Sequence, residues 1–387
     1  MRRVAGSLAC AVVLIAGGCS KTSAPGTEST PPGEAATGTQ AVTGAQTYTV
    51  AMDHPSPAGK QRQFSAFYPK SLRVRPGDTV VFDNQSTISI HTVSFGVKAD
   101  RSNQPIPVAK GQVNQAVFAP CYQSSEPAQS MTACQSSAVG KVPGTDRADK
   151  LPGAASPDST TAAPPQAPEY AGQGYWSSGA VVFAVPGMPS PPPAEARRST
   201  MKLADSVAPG SYHYVCLLHP FMEGTLEVVG NEADRATPDA VTKAGAAEYT
   251  TDAAAADKLP EPAGQTGPGR TVVVAGSSDK VTSTNAFFPP SVTVKEGDTV
   301  VWTDDGPYEP HTVTFNGTFQ TPLDKGALVP GGVASGKDFP GGYAHSGLFG
   351  PPPEFPSTTF SLKFTKKGSY PYLCVLHPGM GGVVQVE

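Results

Sequence analysis

Alternation of apolar and polar side chains is the dominant pattern along this chain. In SLRVRPGDTVVF, Ser71 to Phe82, the apolar positions Leu72, Val74, Val80 and Phe82 line one face of an extended backbone on either side of a Gly-Asp pair. SVTVKEGDTVVW, Ser291 to Trp302, has the same pattern. Each stretch is expected to form a half-buried hairpin. GSYHYVC from Gly210 and GSYPYLC from Gly368 alternate again after a Gly-Ser turn. No long segment of these regions has a helical period, so the pattern predicts an all-β protein of small antiparallel sandwiches.

The similar stretches belong to a repeat. FYPKSLRVRPGDTVVFDN starts at Phe67 and FFPPSVTVKEGDTVVWTD at Phe287, an offset of 220 residues that HTVSF at His91 and HTVTF at His311 preserve. GSYHYVCLLHPFM at Gly210 and GSYPYLCVLHPGM at Gly368 are offset by only 158. The first copy therefore holds 62 additional residues between its halves. That insertion falls mostly at about 97–175, where Pro, Ala, Ser and Gln dominate. The organisation expected is a first domain at 47–230 containing the insertion, a linker at 231–267 with room for a short helix, and a second domain at 268–387.

Composition narrows the class of protein. Gly and Pro contribute 41 residues each to the 387, and only 16% are charged, a mix suited to compact β domains joined by loose tethers. A net charge of −4 gives no basis for nucleic acid or an anionic membrane surface as partner. Residues 1–19 combine two arginines, an apolar run too short to span a bilayer and small residues before Cys19, which reads as an export signal. Ala16, Gly17 and Gly18 before Cys19 resemble the lipobox of bacterial lipoproteins, which implies lipidation of Cys19 and anchoring on the outer face of the cytoplasmic membrane, periplasmic or at the cell surface. A plain secretory signal is the alternative. Residues 20–46, rich in Ser, Thr, Gly and Pro, then read as a flexible tether.

The candidate chemistry lies in CLLHPFMEG and CVLHPGMGG, where Cys, His and Met recur every three residues: Cys216, His219 and Met222, then Cys374, His377 and Met380. A turn after a strand presents all three to one point, and a sandwich can bring the HTV segment beside it. His91 and His311 then complete the sets. Two imidazoles and a thiolate in a plane, with a weak axial thioether, form the ligand set of a blue copper site; thioether is a poor ligand for zinc. A fold that fixes these donors before metal arrives imposes nearly one geometry on Cu(I) and Cu(II), which favours fast electron exchange.

On these residues the chain resembles the cupredoxins, and its ligand loop is most similar to the short loop of the amicyanins. The resemblance covers about 48–96 with 176–229, and about 270–387. It implies two Greek-key cupredoxin β-sandwich domains, the first with a long low-complexity insertion, one type 1 copper ion in each, and electron transfer between a redox protein donor and acceptor. It further implies that His219 and His377 are solvent-edge ligands, with Leu218, Pro220, Phe221, Leu376 and Pro378 forming an apolar docking surface. Thr92 and Thr312 follow the first histidines where many cupredoxins have Asn. A hydroxyl is expected to take over part of the tie between ligand loops, with a reduction potential outside the ordinary range.

Of six cysteines, Cys10 lies in the signal and Cys19 is the lipidation candidate, leaving Cys121, Cys134, Cys216 and Cys374. Four allow three pairings; assigning Cys216 and Cys374 to metal leaves a Cys121–Cys134 disulfide within the insertion, or two unpaired thiols. His54, His213 and His345 have no counterpart in the other copy and are expected to be structural or superficial. Two rival functions stay open. Copper storage or delivery uses the same ligands. A two-domain copper oxidase or nitrite reductase is an enzyme built on the same fold, but it needs further copper, commonly on His-x-His pairs or a His beside the blue-site Cys; Val215, Leu217, Leu373 and Val375 occupy those neighbouring positions and no His-x-His occurs.

Overall fold

The computed structural model describes residues 44–57, 60–97, 121–123, 169–183, 194–304, 306, 309–317, 328–350, 355 and 357–387. The signal, Cys19, the tether up to residue 43, most of the insertion and Cys134 lie outside the described residues, as does any Cys121–Cys134 bond. No described helix is long and apolar enough to cross a membrane.

The fold is all-β: the described residues form two sandwiches and one α-helix. In the first sandwich one sheet runs in the order Phe67–Tyr68, Thr47–Met52, Thr79–Asn84, Arg198–Lys202. The facing sheet runs Ser71–Val74, Glu223–Val228, Gly210–Val215, Ser94–Phe95, Tyr175–Ser177, Cys121–Gln123. The second sandwich has equivalent sheets, one centred on Arg270–Ser278 and Thr299–Asp304 and one on Gly368–Leu373 and Gly381–Val386.

Two expectations need correction. The Gly-Asp stretches are not hairpins: Ser71–Val74 pairs with Glu223–Val228, while Thr79–Asn84 pairs with Thr47–Met52 and Arg198–Lys202, so the turn carries the chain from one sheet to the other. Alternation reports which face is buried and says nothing about the strand's partner. The sheets are also mixed rather than antiparallel, since Thr47–Met52 runs parallel to Thr79–Asn84 and Ser71–Val74 parallel to Glu223–Val228, with matching pairs in the second sandwich.

Four aromatic residues fill the same place in each core. Phe67, Phe82 and Phe95 surround Tyr214 with centroid distances of 4.8, 5.2 and 5.1 Å. Phe287, Trp302 and Phe315 surround Tyr372 at 4.8, 5.2 and 5.3 Å. Such tilted and edge-to-face contacts add to the area they bury and fix the spacing of the sheets.

The segment between the sandwiches is not a loose tether. Helix α1, Pro238–Ala256, starts with Pro at its first position after Thr237, whose side chain accepts from Ala240 N. The helix packs on the first sandwich so closely that a Cβ at Gly245 would lie 2.8 Å from the carbonyl carbon of Tyr68. Tyr249 stacks on His54 with centroids 3.6 Å apart, and Tyr68 Oη donates to Asp252. Strand Arg62–Phe64, which the sequence places in the first domain, is added antiparallel to the edge of the second sandwich at Thr282–Thr284. Phe64, Ala66, Tyr68 and Ala256 form a small apolar cluster beneath it, with Val281 packed against them. This fixes one sandwich against the other.

Candidate metal centres

Each centre is built on a hairpin loop. Gly210–Val215 and Glu223–Val228 pair along their whole length, and the connecting loop is closed by Cys216 N donating to the Met222 carbonyl at 2.9 Å and Met222 N to the His219 carbonyl at 3.2 Å. In the second centre the same bonds, Cys374 to Met380 and Met380 to His377, are 2.9 and 3.1 Å. One small ring of backbone therefore orients Cys, His and Met. The remaining histidines are held by two-way bridges: His91 exchanges backbone bonds with Val181, and His311 with Phe349.

The predicted side chains converge. Cys216 Sγ lies 3.4 Å from His219 Nδ1 and 4.0 Å from His91 Nδ1, and the two imidazole nitrogens are 3.1 Å apart. In the second centre Cys374 Sγ is 3.5 Å from His377 Nδ1, and the donor atoms of His311, Cys374 and His377 all lie within 4.8 Å of one another. Donors bound to one ion at about 2.0–2.3 Å in a plane stand roughly 3.5–4 Å apart, so this spacing fits a metal with little movement. All six residues are buried. His311 Nδ1 is buried without a hydrogen-bond partner, as befits a ligand nitrogen. Met222 and Met380 are buried in the same clusters as Cys216 and Cys374.

The threonines tie the loops together. Thr92 N lies 3.4 Å from Cys216 Sγ as a donor, and Thr92 Oγ1 accepts from Leu217 N at 2.7 Å while its own hydroxyl points to the sulfur at 3.9 Å. Thr312 repeats this with Cys374 at 3.4 and 3.7 Å and Val375 N at 2.8 Å. Each hydroxyl thus links the first histidine's segment to the loop that bears the other ligands.

The electrostatics favour a thiolate. Burial alone would raise both thiols, but the charge and hydrogen bonds of His219 and His91 bring Cys216 well below its usual range, and His377 and His311 do the same for Cys374. Burial likewise opposes charge on the imidazoles. Hydrogen bonds donated to Asp53 and Cys216 nonetheless raise His91 to about 9, and Cys374 and Glu309 raise His377 to about 10.

Two carboxylates that the sequence reading missed touch the outer nitrogens. Asp53 Oδ2 is 3.3 Å from His91 Nε2, and Asp53 is fully buried. By strand register its counterpart is Gly276, because Thr47 and Arg270 both start the parallel pairing; both Asp53 and Gly276 have positive φ, 60° and 72°. A Cβ at Gly276 would lie 2.3 Å from His311 Nε2, so His311 packs on bare backbone. Glu309 Oε1 is 3.0 Å from His377 Nε2, and Glu309 Oε2 is 4.0 Å from His219 Nε2 of the other sandwich. Burial disfavours the Glu309 charge, but hydrogen bonding to His377 and the positive field of the histidines bring its carboxyl to about 2. The offset of 220 places Glu309 opposite Ser89, whose Oγ is 3.3 Å from His219 Nε2. A charged residue two positions before a ligand, where the other copy has Ser, was the available signal.

This arrangement corrects the expected docking face. His219 and His377 are 8% and 4% exposed, and they face one another across the contact between sandwiches rather than solvent. Leu218 and Leu376 line a cavity of about 80 Å³ beside them, together with Ile88, Phe183, Leu348 and Phe355. Arg62–Phe64 lies beside this contact, with Gln63 Nε2 donating to Glu309 Oε2 at 3.3 Å. Phe221 stays 37% exposed under the Lys280 ammonium. The other histidines are engaged elsewhere: His54 with Tyr249, His213 with Thr225, and His345 with Thr314.

Residues 273–387 match the family model described as copper binding proteins of the plastocyanin/azurin family. Amicyanin-alpha of Methylorubrum extorquens is 32% identical over 113 residues, 29% of this chain and 74% of that protein. A plastocyanin of Synechococcus sp. is 33% identical over 116 residues, 30% of this chain and 71% of its own. A solved Cu(I) structure of an amicyanin variant aligns with 34% of this chain and 97% of its own at 24% identity, with a TM-score of 0.20. The chain belongs to the plastocyanin/azurin family of copper-binding proteins.

Proposed function

We propose that the protein is an extracytoplasmic electron carrier that holds two type 1 copper ions, one in each sandwich, and is anchored to the membrane through lipidated Cys19. His91, Cys216, His219 and Met222 would hold one ion; His311, Cys374, His377 and Met380 the other. Bound copper would supply a one-electron couple. The chain's own residues supply the rest: the closed loops fix the donors, Thr92 and Thr312 brace the sulfur-bearing segments, and burial keeps water away from the thiolates. The observation that supports this most is the convergence of two buried Cys-His-His groups with nearly the same geometry.

Electron transfer is favoured over copper delivery because handing over an ion needs a ligand that a partner can displace. Here both outer histidines are enclosed between the sandwiches. Redox protein partners would exchange electrons through the surface near this enclosed edge. Copper content and the visible spectrum of the intact protein, Cys216→Ser and Cys374→Ser test the proposal. Each substitution is expected to remove one copper and about half of an intense blue colour. A copper-loaded but colourless parent would refute type 1 ligation.

A further inference from the structure

Glu309 stands between two candidate metal centres, and nothing in either centre alone requires it. Its carboxylate is buried, touches His377 Nε2 directly and lies 4.0 Å from His219 Nε2. Gln63, on the strand added to the edge of the second sandwich, donates to Glu309 Oε2 at 3.3 Å and to Ser65 Oγ at 3.1 Å, and accepts from Asn285 at 3.2 Å. The carboxylate is therefore fixed by the second sandwich and presented to His219 of the first. Adding the width of a carboxylate to the two contacts puts the imidazole edges within about 10 Å of one another. Tunnelling through protein falls off exponentially with distance, and this gap is filled by one hydrogen-bonded group.

We propose that the two centres exchange electrons with each other inside the molecule through His219, Glu309 and His377, and that Asp53 gives the exchange a direction, from the first centre to the second. The inference rests on the copper reading above. With copper bound by both ligand groups, one electron would pass from a Cu(I) first centre, oxidised to Cu(II), to a Cu(II) second centre, reduced to Cu(I), with no proton moved and no bond broken. Direction follows from the unequal surroundings. The first centre has the Asp53 carboxylate on His91 with Glu309 nearby, whereas the second has Glu309 alone and Gly276 where Asp53 would stand. Additional negative charge in a dry site stabilises the more positive, oxidised ion. The first centre is thus the stronger reductant, and the enclosed faces of His219 and His377 are a conducting contact rather than a blocked docking surface.

The test uses the full copper-loaded chain, given less than one electron per molecule by a rapid one-electron reductant and then freeze-quenched. Paramagnetic resonance signals of the two cupric ions are assigned from Cys216→Ser and Cys374→Ser. The electron is expected to move to the second centre at a rate independent of protein concentration. Glu309→Leu should slow it at least about tenfold, and Glu309→Gln, which keeps the bridging atoms, should slow it much less. Asp53→Asn should shift the equilibrium toward reduced first centre by about tenfold or more. The dipolar distance between cupric ions in the oxidised protein should be the same in the parent and Glu309→Gln. A rate proportional to protein concentration, or an unchanged rate in Glu309→Leu, overturns the internal route; an unchanged equilibrium in Asp53→Asn overturns the direction. Absence of blue colour at either centre would instead refute the copper reading itself.

Discussion

Replacing Thr312 by Val isolates the hydroxyl that ties the second ligand loop to the His311 segment. The two side chains have nearly the same shape, and Thr312 is fully buried, so packing changes little while the acceptor for Val375 N disappears. That N–H, on a buried residue, would then have no partner, and an unsatisfied buried donor costs about 1–3 kcal/mol. If the hydroxyl only filled space, Val would be neutral or stabilising, because it brings an apolar methyl into an apolar core. Thr312→Ser separates the two effects: it keeps the acceptor and gives up one methyl, worth about 1 kcal/mol. Urea unfolding of the metal-free protein should rank the parent first, Ser second and Val last, with unchanged slopes. A Val variant as stable as the parent would refute the proposition that the threonine acts through its hydrogen bond. Thr92→Val should behave alike through Leu217 N.

Further outcomes follow from the same geometry. In metal-free protein the Glu309 carboxyl sits at about 2, below its usual value, so its contribution to stability is present above about 4.5 and is lost as pH falls toward 2. His377, raised from 6.5 to about 10, contributes fully below 6.5 and loses its contribution as pH rises through 10. Thermal melts across pH should show both limbs, and Glu309→Gln should flatten the acid one; an unaltered acid limb would count against the ion pair. Gly379 has φ 84° and a Cβ there would meet Gln61 Nε2 at 2.6 Å, so Gly379→Ala should destabilise by about 1–2 kcal/mol in chemical denaturation, and no loss would show that the contact yields freely. Trp302→Ala empties the middle of the second core and should cost about 3–5 kcal/mol, read as a lower unfolding midpoint.

The two Cys-His-His groups were legible because each takes its Cys and one His from a short loop, where spacing survives as a motif, and because the motif occurs in both copies. Alternation identified the buried faces of Ser71–Val74 and Thr79–Asn84. It failed on their partners, since a Gly-Asp turn between two alternating runs looks the same whether the chain folds back on one sheet or crosses to the facing one. The linker's expected short helix is the 19-residue α1, whose extent and packing the sequence did not show because it buries only a few side chains, among them Val241 and Ala256, and leaves no apolar stripe to read. Asp53 and Glu309 are distant in sequence from the histidines of the other loops they touch, and their importance comes from burial, which composition does not report.

Strand Arg62–Phe64 completes the sheet of the neighbouring sandwich by lying along Thr282–Thr284. The two halves are therefore clasped, not merely strung together. Severing the polypeptide after α1 would leave the pieces associated, whereas producing residues 268–387 by themselves would expose an unpaired edge that invites self-association. The smallest portion of the chain that behaves as a well-formed unit includes both lobes.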